Sequence, residues 1–307
     1  MSVVALLGVT ASGKSDAAID LARRRGDIEI VSVDSMCVYR GMDIATSKPS
    51  RAQQAEVRHH LLDLVDPGEE FTVSQFQQAA HHALRDIAGR GNHALLVGGT
   101  GLYLRAVVDD LRFPGRYPDV RHALESELGQ GRAEVPELHA RLAVLDPVAA
   151  ARMEPTNERR VVRALEVTLG SGQPFSTFGP GLEAYPLSSV TMVGLAVANE
   201  EVDRRIAARF AQWMEQGLLD EVRALASRTG GMSRTARQAL GYRELLAHVE
   251  DGAPLDACVE EAVRRTRSFA RRQASWYRRD PRIGWTEPGE GPADLLDRAL
   301  GAYASRS

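Results

Sequence analysis

Short apolar runs alternate with longer stretches of helical spacing through the first hundred residues. Val3–Leu7 reads as a strand, Lys14–Arg24 as a helix and Ile28–Val33 as a second strand. Thr72–Ala88 has helical spacing, and Ala94–Val97 reads as a third, buried strand ahead of "GGTGLYLRAVV". Strands of this kind separated by helix-length patterns predict an α/β fold, a parallel sheet covered by helices. After about residue 112 the pattern changes. "RFPGRYPD" is turn-rich, and residues 113–187 are mostly helical pattern broken by Pro and Gly. Val190–Val197 then reads as a return to the sheet, and helices dominate to the end. The expected organisation is a core over 1–112, an all-helical insertion over 113–187, and a return to the core over 188–307. Parallel strands joined by crossovers align their carboxyl ends on one edge, where open sheets bind ligands.

Composition narrows the setting. Two cysteines, Cys37 and Cys258, lie far apart in no metal-ligand spacing, which argues for a reducing compartment and against a disulfide framework or zinc site. The apolar residues 3–9 are too short for a signal core, and no stretch approaches the roughly 18 apolar residues of a membrane span. The expectation is a cytoplasmic protein without membrane attachment, with a monomer as the default. Net charge is −3, yet residues 264–282 carry eight arginines and one acid, Asp280, which is compatible with a local polyanion site.

The first candidate chemistry is "GVTASGKS". Gly8, Gly13, Lys14 and Ser15 match G-x-x-x-x-G-K-[ST] between a predicted strand and helix. In such a loop the backbone from Gly8 through Val9, Thr10, Ala11 and Ser12 to Gly13 curls its N–H groups around an anion. The following helix adds a favourable dipole, Lys14 a positive charge, and Ser15 a hydroxyl for Mg²⁺. Phosphate binding follows from the motif; nucleotide binding does not. The strand Ala94–Val97 ends in Gly98-Gly99 without the acid that many P-loop NTPases place there. The acid comes instead after the second strand, as Asp34. It projects toward the loop as an acceptor-activating carboxylate, or serves as a turn or cap residue. Up to this point a phosphotransferase and another phosphate-leaving-group enzyme remain equal readings.

"GVTASGKS", "VSVDSMCVYRGMDIATSKP", "HHLLDL", "LLVGGTGLYLRAV", "RRVVRALEV", "ALGYRE" and "TRSFARRQASWYR" occur in this order. Together they resemble the bacterial tRNA dimethylallyltransferases of the tRNA isopentenyltransferase family, over about residues 3–285. The resemblance implies a P-loop NTPase-like core with a helical insertion. It also implies transfer of a dimethylallyl group from dimethylallyl diphosphate to N6 of the adenosine just 3′ of the anticodon, without use of a nucleoside triphosphate. It further implies that Asp34 activates the amine, that the P-loop with Mg²⁺ at Ser15 stabilises the departing diphosphate, and that Thr100 sits near the scissile oxygen. A helix N-cap role competes for Thr100. Arg209 matches an arginine used on the pyrophosphate, with Arg204 and Arg205 close enough to leave that choice open.

The implied tRNA contacts are Asp34, Ser35, Met36 and Cys37; Thr100; Arg121; Arg159, Arg160 and Arg163; Gln238, Gly241, Tyr242 and Arg243; and Arg271, Arg272, Gln273, Trp276 and Arg278. Cys37 departs from the Gln common in the family, so no side-chain amide contact is expected there. Ala45 and Ser47 replace more usual Gly and Ala. His59 and His60 before Asp63 have no visible third ligand, which leaves a structural role.

The arginine run has a geometry of its own. At 100° per residue, Arg264, Arg265, Arg267, Arg271, Arg272, Arg278 and Arg279 fall within an arc of about 160°. Ala262, Phe269, Ala270, Trp276 and Tyr277 take the remaining arc, so one face is cationic and the other can pack. A free polyanion-binding face and a merely solvated basic helix are the two readings of such a run. The target base must leave its stack to reach a phosphate-loop pocket, so base flipping is expected. Two alternatives stay open. A small-molecule kinase or adenine-nucleotide prenyltransferase would need no basic surface. A nucleotide-dependent RNA-binding switch would need neither Asp34 nor Thr100.

Overall fold

The computed structural model of the chain describes residues 1–179, 181–182 and 184–286, with residues 294, 296, 297, 299 and 300. The rest of the 188–307 segment lies outside the described residues. The chain forms two compact units: Met1–Asp110 with the described residues from Leu187 onward, and Leu111–Pro186.

The larger unit begins β1 (Val3–Leu7), α1 (Lys14–Arg25), β2 (Ile28–Val33), α2 (Arg51–Glu56), β3 (His59–His60), α3 (Val73–Gly89), β4 (His93–Gly98) and α4 (Gly101–Val108). The smaller unit holds α5 (Pro118–Gly129), α6 (Val135–Leu145), α7 (Pro147–Ala150) and α8 (Glu158–Ser171). The larger unit resumes with β5 (Thr191–Gly194), α9 (Asn199–Glu215), α10 (Leu218–Ala226), α11 (Tyr242–Asp251), α12 (Leu255–Tyr277) and β6 (Ile283–Trp285).

Six strands pair in parallel in the order β3-β2-β4-β1-β5-β6. The central strands are apolar on both faces because both are covered. Ala5 and Leu7 of β1 enter one core with α3, α4 and α9–α12, while Val4 and Leu6 enter a second with α1. Among the described residues no helix is long and apolar enough to cross a membrane. The fold is the expected α/β parallel sheet, with two strands that the hydrophobic pattern missed. β3 is two residues long and β6 three, and both lie at sheet edges, where a long apolar run is unnecessary. β5 is shorter than the Val190–Val197 run. The α3 helix starts one residue after Thr72, which caps it reciprocally with Gln75.

The smaller unit has its own core of Leu124, Leu138, Leu142, Val161, Val162 and Leu165. Its buried Glu166 accepts from the Tyr117 amide (2.9 Å) and pairs with Arg163 (2.6 Å) and Arg121 (3.5 Å), tying α5 to α8.

Candidate active site

Three adjacent strands, β2, β4 and β1, deliver their carboxyl-end loops side by side: Asp34 after β2, Thr100 after β4 and the phosphate loop after β1. In the phosphate loop Ala11 and Gly13 take left-handed φ of 61° and 89°. This curl brings the first turn of α1, with its unpaired N–H groups, to the loop's mouth. Lys14 Nζ folds back to the Val9 carbonyl at 3.2 Å. Among the described residues no acid forms an ion pair with it. Burial lowers its pKa to about 8, Arg209 adding to the shift and Asp34 opposing it. Arg209 stands over the Trp213 ring at 6.0 Å, also without an ion pair among the described residues, and burial likewise pulls its pKa down. Arg205 donates to the loop carbonyls of Ala11 and Ser12 (3.4 Å each) and is held by Glu201 at 2.5 Å. Arg204 pairs with the same Glu201 and is exposed. The three arginines thus divide: Arg205 braces the loop, Arg209 adds half-buried charge near Lys14, and Arg204 faces solvent.

Asp34 Oδ1 accepts from the amides of Met36 (2.8 Å) and Cys37 (3.3 Å). Asp34 is therefore a turn residue, and the turn pins the carboxylate beside Lys14. Thr100 occupies the cap position of α4, but its hydroxyl makes no cap bond to the helix. Its Oγ1 accepts instead from the Ser35 amide at 3.3 Å, which leaves the hydroxyl proton available to a ligand. The two glycines beside it are set by close approach. A Cβ on Gly99 would collide with the Gln273 amide, and one on Gly101 with the Trp276 indole, so α12 lies directly on this turn.

Several expected contact residues have side chains that are buried or held by other residues. Gln273 is 7% exposed and bonds only inward; Tyr242 is fully buried and donates to Glu221 Oε1 at 2.6 Å. Cys37 is buried with its thiol against the Thr46 carbonyl, and burial pushes its pKa well up. Trp276 is half-buried on Gly101, and Gly241 is buried beside Ala45. In the smaller unit Arg121 and Arg163 hold Glu166, while Arg159 and Arg160 at the start of α8 are exposed. Gln238 and Arg243 are exposed and bonded to each other at 2.9 Å. Ser35 and Met36 are half-buried beside Asp34.

The arginine face of α12 is not free of acids. Arg264 pairs with Glu261 (2.6 Å) and Arg265 with Glu244 (3.2 Å), while Arg271 meets Asp203 at 2.6 Å and Arg267 the same carboxylate at 4.0 Å. Arg272 bonds Ser268 Oγ at 2.8 Å and lies over Phe269. Arg278 and Arg279 are exposed without an acidic partner among the described residues. The acids missing from the local sequence come mostly from α9 and α11.

Other residues that matter escaped the sequence reading. Lys48, 3% exposed at its side chain, joins the Tyr39 carbonyl (2.5 Å), Asp43 (2.6 Å) and Asp63 (2.6 Å), and so fixes the segment after Asp34. Glu221 takes the amides of Asp43 and Ile44 at 3.2 Å, and its burial raises its pKa. Each is a single charged residue outside any motif, and the partners of Glu221 lie far away in the chain. His60 pairs with Glu29 at 2.6 Å and His59 bonds the Val57 carbonyl at 2.7 Å, both within the sheet edge. Beyond Trp276, Arg282 ties Asp280 (2.7 Å) to Asp109 (2.6 Å), which Arg105 also contacts. This buried cluster joins the end of α12 to the end of α4.

Residues 37–280 match the family described as IPP transferase. A Kineococcus radiotolerans protein named tRNA dimethylallyltransferase is 47% identical over 97% of this chain and 95% of its own length. One of the same name from Streptomyces coelicolor is 45% identical over 96% and 93%. Among solved structures, the tRNA isopentenylpyrophosphate transferase of Bacillus halodurans is 34% identical with a TM-score of 0.69, covering 99% of this chain and 96% of that one. A eukaryotic dimethylallyltransferase described as acting on tRNA is 25% identical with a TM-score of 0.79, covering 99% and 80%. With a family match over most of its length and relatives well above 40% identity along nearly all of it, the chain belongs to the IPP transferase family, the tRNA dimethylallyltransferases.

Proposed function

We propose that this protein transfers the dimethylallyl group of dimethylallyl diphosphate to N6 of the adenosine 3′-adjacent to the tRNA anticodon, releasing diphosphate. The observation that carries this reading is the pair of half-buried cations at the phosphate loop, Lys14 and Arg209, neither in an ion pair among the described residues, with the Asp34 carboxylate beside Lys14 across the sheet edge. Two cations partly withdrawn from water, with pKa values lowered by desolvation and no ion pair among the described residues, mark a place suited to an anion. A diphosphate fills it and favours the charged form of both side chains.

The chemistry follows from what each group can do. The new bond forms between N6 and the allylic carbon as the carbon–oxygen bond to diphosphate breaks. The electron pair leaves with the diphosphate, whose growing charge is met by the P-loop amides, Lys14 and Arg209. The Thr100 hydroxyl donates to the bridging oxygen. The aromatic N6 amine is a poor nucleophile, and its proton passes to Asp34, whose Oδ2 stays open because the turn amides use Oδ1. The donor set fits Mg²⁺ held partly by its ligand. Ser15 is an exposed hydroxyl in the first turn of α1, and no group of three His, Cys, Asp or Glu is placed for a metal among the described residues. Mg²⁺ there would add positive charge against the departing diphosphate. For tRNA, Arg278 and Arg279 in the larger unit and Arg159 and Arg160 in the smaller are the exposed cations on which contact rests.

The test is direct. Purified protein, unmodified tRNA, Mg²⁺ and dimethylallyl diphosphate are incubated, and the RNA nucleosides are examined by mass spectrometry. A dimethylallyl mass gain on the adenosine next to the anticodon is expected. No gain under varied conditions overturns the proposal.

A further inference from the structure

Resting on the assignment of the phosphate loop to the donor's diphosphate, we propose that Gln273 is a positioning residue that locks that loop to the Thr100 turn. Its Oε1 accepts from the Thr10 amide at 2.9 Å, and its Nε2 donates to the Gly99 carbonyl at 2.7 Å. Thr10 follows β1 and Gly99 follows β4, so one side chain from α12 spans both loops that would hold the leaving group. The fit is close, since Gly99 has no room for a Cβ beneath the amide. One helical turn further along, Trp276 covers Gly101, and the Arg282–Asp109 pair anchors the chain just beyond the helix.

The chemistry of the contact restricts the residue type. One side-chain end must offer both an acceptor and a donor. Glutamate would set a second acceptor against the Gly99 carbonyl, and lysine or arginine would set a donor against the Thr10 N–H. A buried amide with both ends satisfied fixes orientation, because breaking either bond leaves an unpaired polar group. The helical wheel agrees: Gln273 lies about 160° from the centre of the arginine arc. The same helix thus carries its cations outward and this amide inward. The consequence is preorganisation. The Thr10 N–H is held by protein rather than by phosphate, so the loop and Thr100 are set at working distance before the donor arrives.

The experiment has three readouts on the full chain. Hydrogen exchange at the Thr10 amide is measured without ligand. Affinity for inorganic pyrophosphate is measured by calorimetry with Mg²⁺. Steady-state transfer and tRNA binding are compared among wild type, Gln273→Ala and Gln273→Glu. The Thr10 amide is expected to be protected in the wild type and to exchange faster in both variants. Pyrophosphate affinity is expected to fall, and KM for dimethylallyl diphosphate to rise, by about tenfold, the effect of leaving a buried pair unsatisfied. The tRNA dissociation constant stays within about twofold, since a residue facing away from RNA carries no phosphate contact. Weakened tRNA binding with unchanged donor parameters overturns the proposal, as does rapid exchange at Thr10 in the free wild type. The exchange result decides even where a variant fails to fold. Should the wild type transfer no dimethylallyl group, the functional assignment fails on its own, and the exchange and pyrophosphate readouts still judge Gln273.

Discussion

Lys14 and Arg209 are drawn in among the elements of the phosphate loop with no acid paired to them, while four arginines of α12 each have a carboxylate within 4.0 Å. The first arrangement costs free energy in the unliganded protein, because a half-buried charge without an ion-pair partner loses part of its hydration. The second costs less where it reaches solvent, as at Arg264–Glu261, since exposed pairs contribute little and are screened by salt, while the buried Glu244 holds Arg265 more firmly. The difference teaches where each kind of anion is served. A small, highly charged anion such as a diphosphate is suited to a few half-buried cations in fixed places. An extended polyanion needs exposed cations that can trade a protein carboxylate for a phosphate at small cost.

The comparison breaks most visibly at the group that belongs to neither set of cations. Asp34→Asn keeps an acceptor for the Met36 amide and removes the base. Its transfer rate is expected to fall about a thousandfold, with tRNA affinity unchanged, in single-turnover and filter-binding assays. Equal loss of tRNA binding would make Asp34 a contact rather than a base. Next in size is Lys14→Ala, where kcat/KM for dimethylallyl diphosphate should drop by about a hundredfold while tRNA binding holds. An unchanged value would remove the loop from the diphosphate site.

A pH series sharpens the same point. Because burial has lowered its pKa, Lys14 is charged below about 8 and neutral above it. Affinity for dimethylallyl diphosphate should therefore fall as pH rises through about 8, by at most about tenfold per unit. Lys14→Arg should erase that inflection. The smallest effects belong to α12. Arg278→Ala or Arg279→Ala should weaken tRNA binding about threefold and lower the salt slope by about one. Arg271→Ala should do less, its charge being shared with Asp203. Asp203→Asn should do the reverse, tightening tRNA binding by freeing Arg267 and Arg271. If Arg271→Ala costs more than Arg278→Ala, the pairing on α12 does not tune binding.

Much of this was readable in the chain because it is local. The phosphate loop is eight consecutive residues between a strand and a helix, and its conformation follows from glycine placement and the helix start. The apolar runs of β1, β2 and β4 announce strands covered on both faces. The arc of arginines on α12 follows from helical spacing, as does the burial of Ala262, Ala270 and Tyr277 on the opposite side. The edge strands β3 and β6 were not readable, since two or three residues form no hydrophobic pattern. Gln273 stood within a stretch assigned to RNA, although its angular position already set it on the inner face.

What the sequence determined by itself is the kind of chemistry: a phosphate-holding loop, a carboxylate after the next strand, and a basic helix. What only the tertiary structure decided is which charges are left to act. Glu244 lies 21 residues before Arg265 and Asp203 lies 68 before Arg271, so no local pattern could announce that the arginine face is largely paired. Nor could it show that Lys14 and Arg209, 195 residues apart, are brought together half-buried and outside any ion pair among the described residues. Pairing and burial act through space, and the folding of the sheet and its covering helices sets those distances.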